Sequence, residues 1–155
     1  MNYRRFAMVG LMAVAGLVLT LSHVVGAPEK KEEAKTITWT DYETGMKAAA
    51  EKKMPTMIDF ATDWCGWCHK LDADVYTQEE IVKLAQQFIC IKVDGDKQAD
   101  LVKQYKIRGY PTIIFTNDQG EEIHRIVGYR PAAAFKAEME KALANAKGDD
   151  DEKKE

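Results

Sequence analysis

The chain has no excess of positive charge: 22 Lys and Arg stand against 25 Asp and Glu, a formal net charge of −3. That balance argues against nucleic acid as a partner. It has no internal repeats, which sets aside a repeat architecture. No cysteine stands beside the small residues Val25, Gly26 and Ala27, which excludes a lipid-modified cysteine there. The last four residues, EKKE, are not a KDEL-type retrieval signal, which disfavours an ER resident. Cysteines number only three, Cys65, Cys68 and Cys90, and in an oxidising compartment an odd count leaves one thiol free or paired between molecules.

What is present begins with a leader. Arg4 and Arg5 precede a continuous apolar run over residues 7–21 with one threonine, and residues 25–27 (VGA) suit a signal peptidase. The run is short for a membrane span of about 20 apolar residues, and Ser22 and His23 stop its extension. Residues 1–27 are therefore expected to be a cleaved export signal. The alternative is an uncleaved anchor, and only then would the protein touch a membrane. Residues 28–35 read as a charged linker, residues 36–146 as one domain with a real core, and residues 147–155 as a disordered charged tail. A monomer is expected.

Between the tails, strand and helix alternate. Residues 36–39 (TITW) are a short strand candidate, and Asp41 is placed to cap a helix bearing Tyr42, Met46, Ala49 and Ala50 at helical spacing. Residues 56–61 (TMIDFA) have the pattern of a central strand, and a helix follows from about Cys65. Residues 77–80 (TQEE) have capping-box spacing, with Ile81, Leu84, Ala85 and Phe88 following at helical intervals. Residues 88–94 form the next strand, and Leu101, Val102 and Tyr105 mark a short helix. TIIFT and EIHRIV flank NDQG as an antiparallel hairpin. A last helix is expected to start at Pro131, with Phe135, Met139, Ala142 and Leu143 on one face. The order β-α-β-α-β-α-β-β-α predicts a mixed sheet with helices on both faces, a three-layer α/β sandwich.

Residues 63–70, DWCGWCHK, hold two motifs at once. As C-x-x-C they are a dithiol able to open and close a disulfide; as C-x-x-C-H they are the tether of a c-type haem. The element order puts Cys65 between a strand and a helix, where free backbone N–H groups and the helix dipole stabilise a thiolate. Cys65 is then the nucleophile, and Cys68, one turn on, resolves the mixed disulfide. Asp59 interrupts an apolar strand. Burial there raises a carboxyl pKa and suits it to accept a proton from Cys68, unless it stands at a strand edge and is satisfied by solvent. In RGYPT, residues 108–112, a proline opening an apolar strand is explained by a cis Tyr110–Pro111 bond. That turn leaves the Tyr110 backbone free to pair with an extended substrate strand.

Taken together, MIDFATDWCGWCHK, YKIRGYPTIIF and RIVGYR resemble the thioredoxin superfamily, over roughly residues 36–146. IRGYPT is similar to a protein disulfide isomerase domain. DWCGWCHKLDADVYTQEEIVKL is similar to exported thioredoxin-like proteins akin to the C-terminal domain of the bacterial disulfide interchange protein D. The resemblance implies a thioredoxin-like sandwich and an exported thiol–disulfide oxidoreductase, without cofactor or metal, reducing protein disulfides through Cys65 and Cys68. An oxidase or isomerase is the alternative, as is a non-enzymatic chaperone of the same fold. It further implies that Asp59 is the buried proton acceptor and Pro111 the cis-proline. Trp64, Gly66, Trp67, Tyr110, Pro111 and Gly128 would line the substrate site.

The partners implied are cysteine-containing proteins and a transmembrane thiol reductase as electron donor, in the periplasm or another extracytoplasmic space. Gly66-Trp67 matches neither the Gly-Pro of thioredoxin nor the Gly-His of the isomerases, so the resemblance does not fix the redox poise. Cys90 falls where thioredoxins often place a lysine near the buried Asp, and a buried inert thiol is expected there. His69 either favours the Cys65 thiolate as a nearby cation or is simply exposed. Lys70 and Asp72 read as surface charges.

The rival chemistries lack partners. Haem attachment needs a second axial ligand, and after the motif only Met139 and His124 could serve. Met139 lies on the apolar face of the last helix. Structural zinc needs two further ligands, drawn from His69, Cys90 or His124 at unsuitable spacings.

Overall fold

Helix α1 (Tyr42–Lys52) begins where Asp41 caps it, its carboxylate accepting from the Thr44 backbone N–H at 2.9 Å. The computed structural model describes residues 36–152, with side chains described to residue 147; the leader, the linker and residues 153–155 lie outside the described residues. Around α1 the order is β1 (Trp39–Thr40), β2 (Thr56–Ala61), α2 (Gly66–Asp74), α3 (Glu79–Ala85), β3 (Ile89–Asp94), α4 (Ala99–Gln104), β4 (Thr112–Thr116), β5 (Glu122–Val127) and α5 (Ala132–Glu152).

The five strands form one sheet in the order β1-β3-β2-β4-β5. β3 is parallel to β1 and β2, while β4 is antiparallel to β2 and β5. All six residues of β2 are buried, as befits the middle strand of a sheet covered on both faces. Its side chains alternate. Ile58 and Phe60 pack with Ile91, Val93, Tyr105 and Ile114 toward α1 and α4. Met57 faces the larger cluster with Leu71, Ile81, Phe115, Phe135 and Met139, under α2, α3 and α5. The thioredoxin-like mixed sandwich expected from the sequence is the fold observed.

Boundaries differ in several places. The chain between β2 and β3 folds as two helices where the expected element order counted one, the second starting near the 77–80 segment, because residues 75–78 leave the helix path. The capping box does not form there. Gln78 is the cap residue and makes no side-chain cap bond, while the Thr77 hydroxyl donates back to the Ala73 carbonyl at 2.7 Å. The first strand is Trp39–Thr40, since only those residues pair with β3. The Pro131 carbonyl accepts the first helical bond of α5 from Phe135, so Pro131 stands just before the helix rather than as its first residue. Helical backbone continues to Glu152, into the charged segment 147–155 expected to be a disordered tail. Among the described residues, no helix is long and apolar enough to cross a membrane.

Candidate active site

β2 delivers the chain to the sheet's end and α2 begins at Gly66, so Cys65 becomes the N-cap of α2. Cys65 and Cys68 are joined as a disulfide, with Cα atoms 5.2 Å apart. The Cys68 backbone N–H donates to Cys65 Sγ at 3.1 Å, and the N–H groups of Cys68 and His69 both donate to the Cys65 carbonyl. The sulfur of Cys65 thus sits where backbone donors and the positive end of a helix converge, which favours a thiolate once the disulfide opens. Both cysteines are nearly buried, Cys65 at 5% and Cys68 at 4% exposure, and pack with Ala61 against Tyr110.

Tyr110 reaches this position through a cis bond to Pro111. The Thr112 hydroxyl donates to the Gly109 carbonyl, and the Gly128 N–H donates to the Pro111 carbonyl at 2.8 Å. Gly128 has φ +80°, a conformation that favours glycine. The loops 109–111 and 128–130 are thereby fastened beside the disulfide. Trp64 is 69% exposed, meets the edge of Tyr110 at 5.8 Å between centroids, and donates from its indole to Asp96 at 2.9 Å. Trp67, 59% exposed, lies 5.6 Å from Tyr129. Gly66 is open: a Cβ there would meet nothing within 4 Å.

Asp59 is not at a sheet edge; it stands in the central strand at 2% exposure. Register places it opposite Lys92, so the lysine beside the buried Asp is Lys92, and Cys90, two residues earlier and opposite Met57, does not occupy that lysine's place as the resemblance had implied. Lys92 Nζ is 3.6 Å from Asp59 and 2.5 Å from Asp72, and it lies over the rings of Trp39 and Tyr76. Burial pushes the Asp59 carboxyl up to about 6, against the opposing pull of Lys92. Asp59 Oδ1 and the Tyr76 hydroxyl are buried without hydrogen-bond partners. Asp59 makes no hydrogen bond to either cysteine. Lys92 and Asp72 instead line a cleft of about 180 Å³ together with Cys68, His69 and Thr62, which opens the region behind Cys68 to solvent.

Asp72 is therefore more than a surface charge. Its place was readable only as one helical turn beyond Cys68. Lys70 pairs with Asp74 at 2.5 Å and lies 5.6 Å over the Tyr129 ring. The His69 ring donates from Nε2 to the Asp63 carbonyl at 2.8 Å. Lys92 is a site neighbour that lies in no motif, while Tyr76 and Tyr129 lie in segments that carry the family resemblance without having been expected at the site. Cys90 is a buried free thiol, pushed up to about 12 by burial. Met139 is fully buried in the core, and His124 is held by Glu138 at 2.5 Å, so both candidate second haem ligands are engaged elsewhere.

A family model described as a thioredoxin-like domain matches residues 42–143. The thiol:disulfide interchange protein TxlA of Synechococcus elongatus is 25% identical over 136 residues, covering 88% of this chain and 71% of that protein. The chloroplastic thioredoxin-like protein HCF164 of Oryza sativa is 28% identical over 146 residues, 94% of this chain and 52% of that protein. The thiol:disulfide interchange protein DsbD of Klebsiella pneumoniae is 28% identical over 123 residues, 74% of this chain but 21% of that protein. The chain thus spans about half of HCF164 and about a fifth of DsbD. Among solved structures, DsbH oxidoreductase superposes with a TM-score of 0.65 at 23% identity, over 72% of this chain and 88% of that one, a likeness of fold. With its Cys65–Cys68 disulfide at the head of α2 and a family match over most of its length, this chain belongs to the thioredoxin-like family.

Proposed function

We propose that this thioredoxin-like thiol–disulfide oxidoreductase reduces protein disulfides outside the cytoplasm. The observation that carries the reading is the Cys65–Cys68 pair at the N-cap of α2, beside the cis Tyr110–Pro111 turn. In the reduced protein, the Cys65 thiolate attacks one sulfur of a substrate disulfide and expels the other as a thiolate. Cys68, its proton passing through the cleft that it lines with Lys92 to that lysine's partner Asp59, then attacks Cys65 Sγ and releases the second substrate sulfur. The substrate gains two electrons and the protein ends oxidised. A base that titrates at about 6 is matched to this task near neutral pH.

The reducing direction is supported by what surrounds Cys65. Gly66 and Trp67, between the cysteines, carry no charge, and the His69 ring is turned to the Asp63 carbonyl instead of to sulfur. A thiolate without an adjacent cation is less stabilised, which makes its disulfide the poorer oxidant. Residues 1–27, read as an export signal, support an extracytoplasmic site. There the electrons must come through a membrane protein, a transmembrane thiol reductase.

Equilibration of the protein with a glutathione series gives its reduction potential. A value of about −270 mV fits the reductant, and one of about −120 mV overturns the direction. Recovery of the processed chain from the extracytoplasmic fraction checks the location, and retention in the cytoplasm overturns it.

A further inference from the structure

Each cysteine has a tryptophan just before it in the chain, and each tryptophan is paired with a tyrosine: Trp64 with Tyr110, and Trp67 with Tyr129. The second pair has features that protein folding alone does not require. Trp67 keeps 59% exposure although it lies against Tyr129, leaving a large apolar face in water beside the reactive sulfurs. Next to it, the exposed Arg130 donates from Nη1 to the Tyr129 carbonyl and has no ion-pair partner among the described residues. That same nitrogen lies 3.9 Å from where a Gly128 Cβ would stand, which puts the guanidinium beside Gly128, whose N–H is bonded to the Pro111 carbonyl. Lys70, by contrast, is already paired with Asp74.

We propose that Trp67, Tyr129 and Arg130 form a selective subsite for the polypeptide whose cysteine reacts with Cys65. The ring pair takes an apolar side chain, and the guanidinium takes an acidic one. The inference rests on the reading that Cys65 exchanges with polypeptide disulfides, and it names the class of polypeptide. An extended chain advances roughly 3.3 Å per residue, so side chains one or two positions from the reacting cysteine reach this pair. Apolar burial is the larger effect and an exposed ion pair the smaller. The expected preferences are about tenfold for the apolar residue and about threefold for the acidic one, by those magnitudes.

The test uses cysteine peptides in mixed disulfide with glutathione: one with Phe and Glu flanking the cysteine, one with Phe and Lys, one with Ser and Ser. Rates of reduction by the reduced protein are divided by its rate with bis(2-hydroxyethyl) disulfide, which carries no side chains. The Phe/Glu peptide should react fastest and Ser/Ser slowest. The apolar preference should collapse in Tyr129→Ala and persist in Tyr129→Phe, and the Glu-over-Lys preference should vanish in Arg130→Gln. Equal normalised rates for the three peptides overturn the subsite, as does a preference that survives Tyr129→Ala. Failure to reduce the small disulfide overturns the reductive function instead. The same peptides as free thiols, offered to the oxidised protein, then read the subsite by their rate of mixed-disulfide formation.

Discussion

Asp59 holds its proton up to about pH 6 because burial outweighs the attraction of Lys92. The unfolded chain releases that proton near the ordinary value of 3.8, so between about pH 4 and 6 the folded state binds more protons. This group therefore costs stability above pH 6, and the cost is relieved as the pH falls toward 4. The distance from 3.8 to about 6 corresponds to about 3 kcal/mol. Asp59→Asn should stabilise the protein at pH 8 by up to that amount and by little at pH 4, read by urea denaturation at both. The same substitution should slow release of the mixed disulfide. At Cys90, burial holds the thiol protonated to about pH 12. After reduction, iodoacetamide at pH 8 should label Cys65 rapidly and Cys90 only after unfolding, as mass spectrometry can show.

At the scale of elements, α1 meets β3 through Gly45. A Cβ there would fall 2.4 Å from Ile91 Cγ1 and 2.6 Å from Cδ1. Gly45→Ala gains about 1 kcal/mol of helix propensity but forces the helix off the sheet, at a cost of roughly 1–3 kcal/mol. Overpacking wins, and the variant should unfold at lower urea with an unchanged reduction potential. Asp41→Ala removes the α1 cap and should cost about 1 kcal/mol, again without moving the potential. The cap at Asp41 was legible from spacing because its bond is local. The crowding at Gly45 was not, because Ile91 arrives from a strand distant in sequence. The failed capping box at Thr77 has a local cause instead: the residue pattern was right, but the turn at residues 75–78 sent the hydroxyl back to Ala73.

At the scale of the whole molecule, the sheet brings the C-x-x-C helix, the cis-proline loop and the Gly128 loop to one end, the end at which the proposed function has substrate chains react. Replacing the resolving thiol should trap them. Cys68→Ser should accumulate mixed disulfides through Cys65, seen as higher-mass bands that collapse under dithiothreitol, whereas Cys65→Ser should accumulate none.

By itself, the sequence determined what depends on short spacing. That comprises the dithiol one helical turn apart, the helix that begins at it, the proline before a strand, and the alternation of elements that makes a mixed sheet. Tertiary structure alone decided that Lys92, not residue 90, faces Asp59, that Asp72 closes on that lysine, and that Tyr129 and Arg130 stand beside Trp67. Those neighbours are set by strand register and loop approach. A side-chain period of two makes a shift of even one residue turn a different set of groups toward the site.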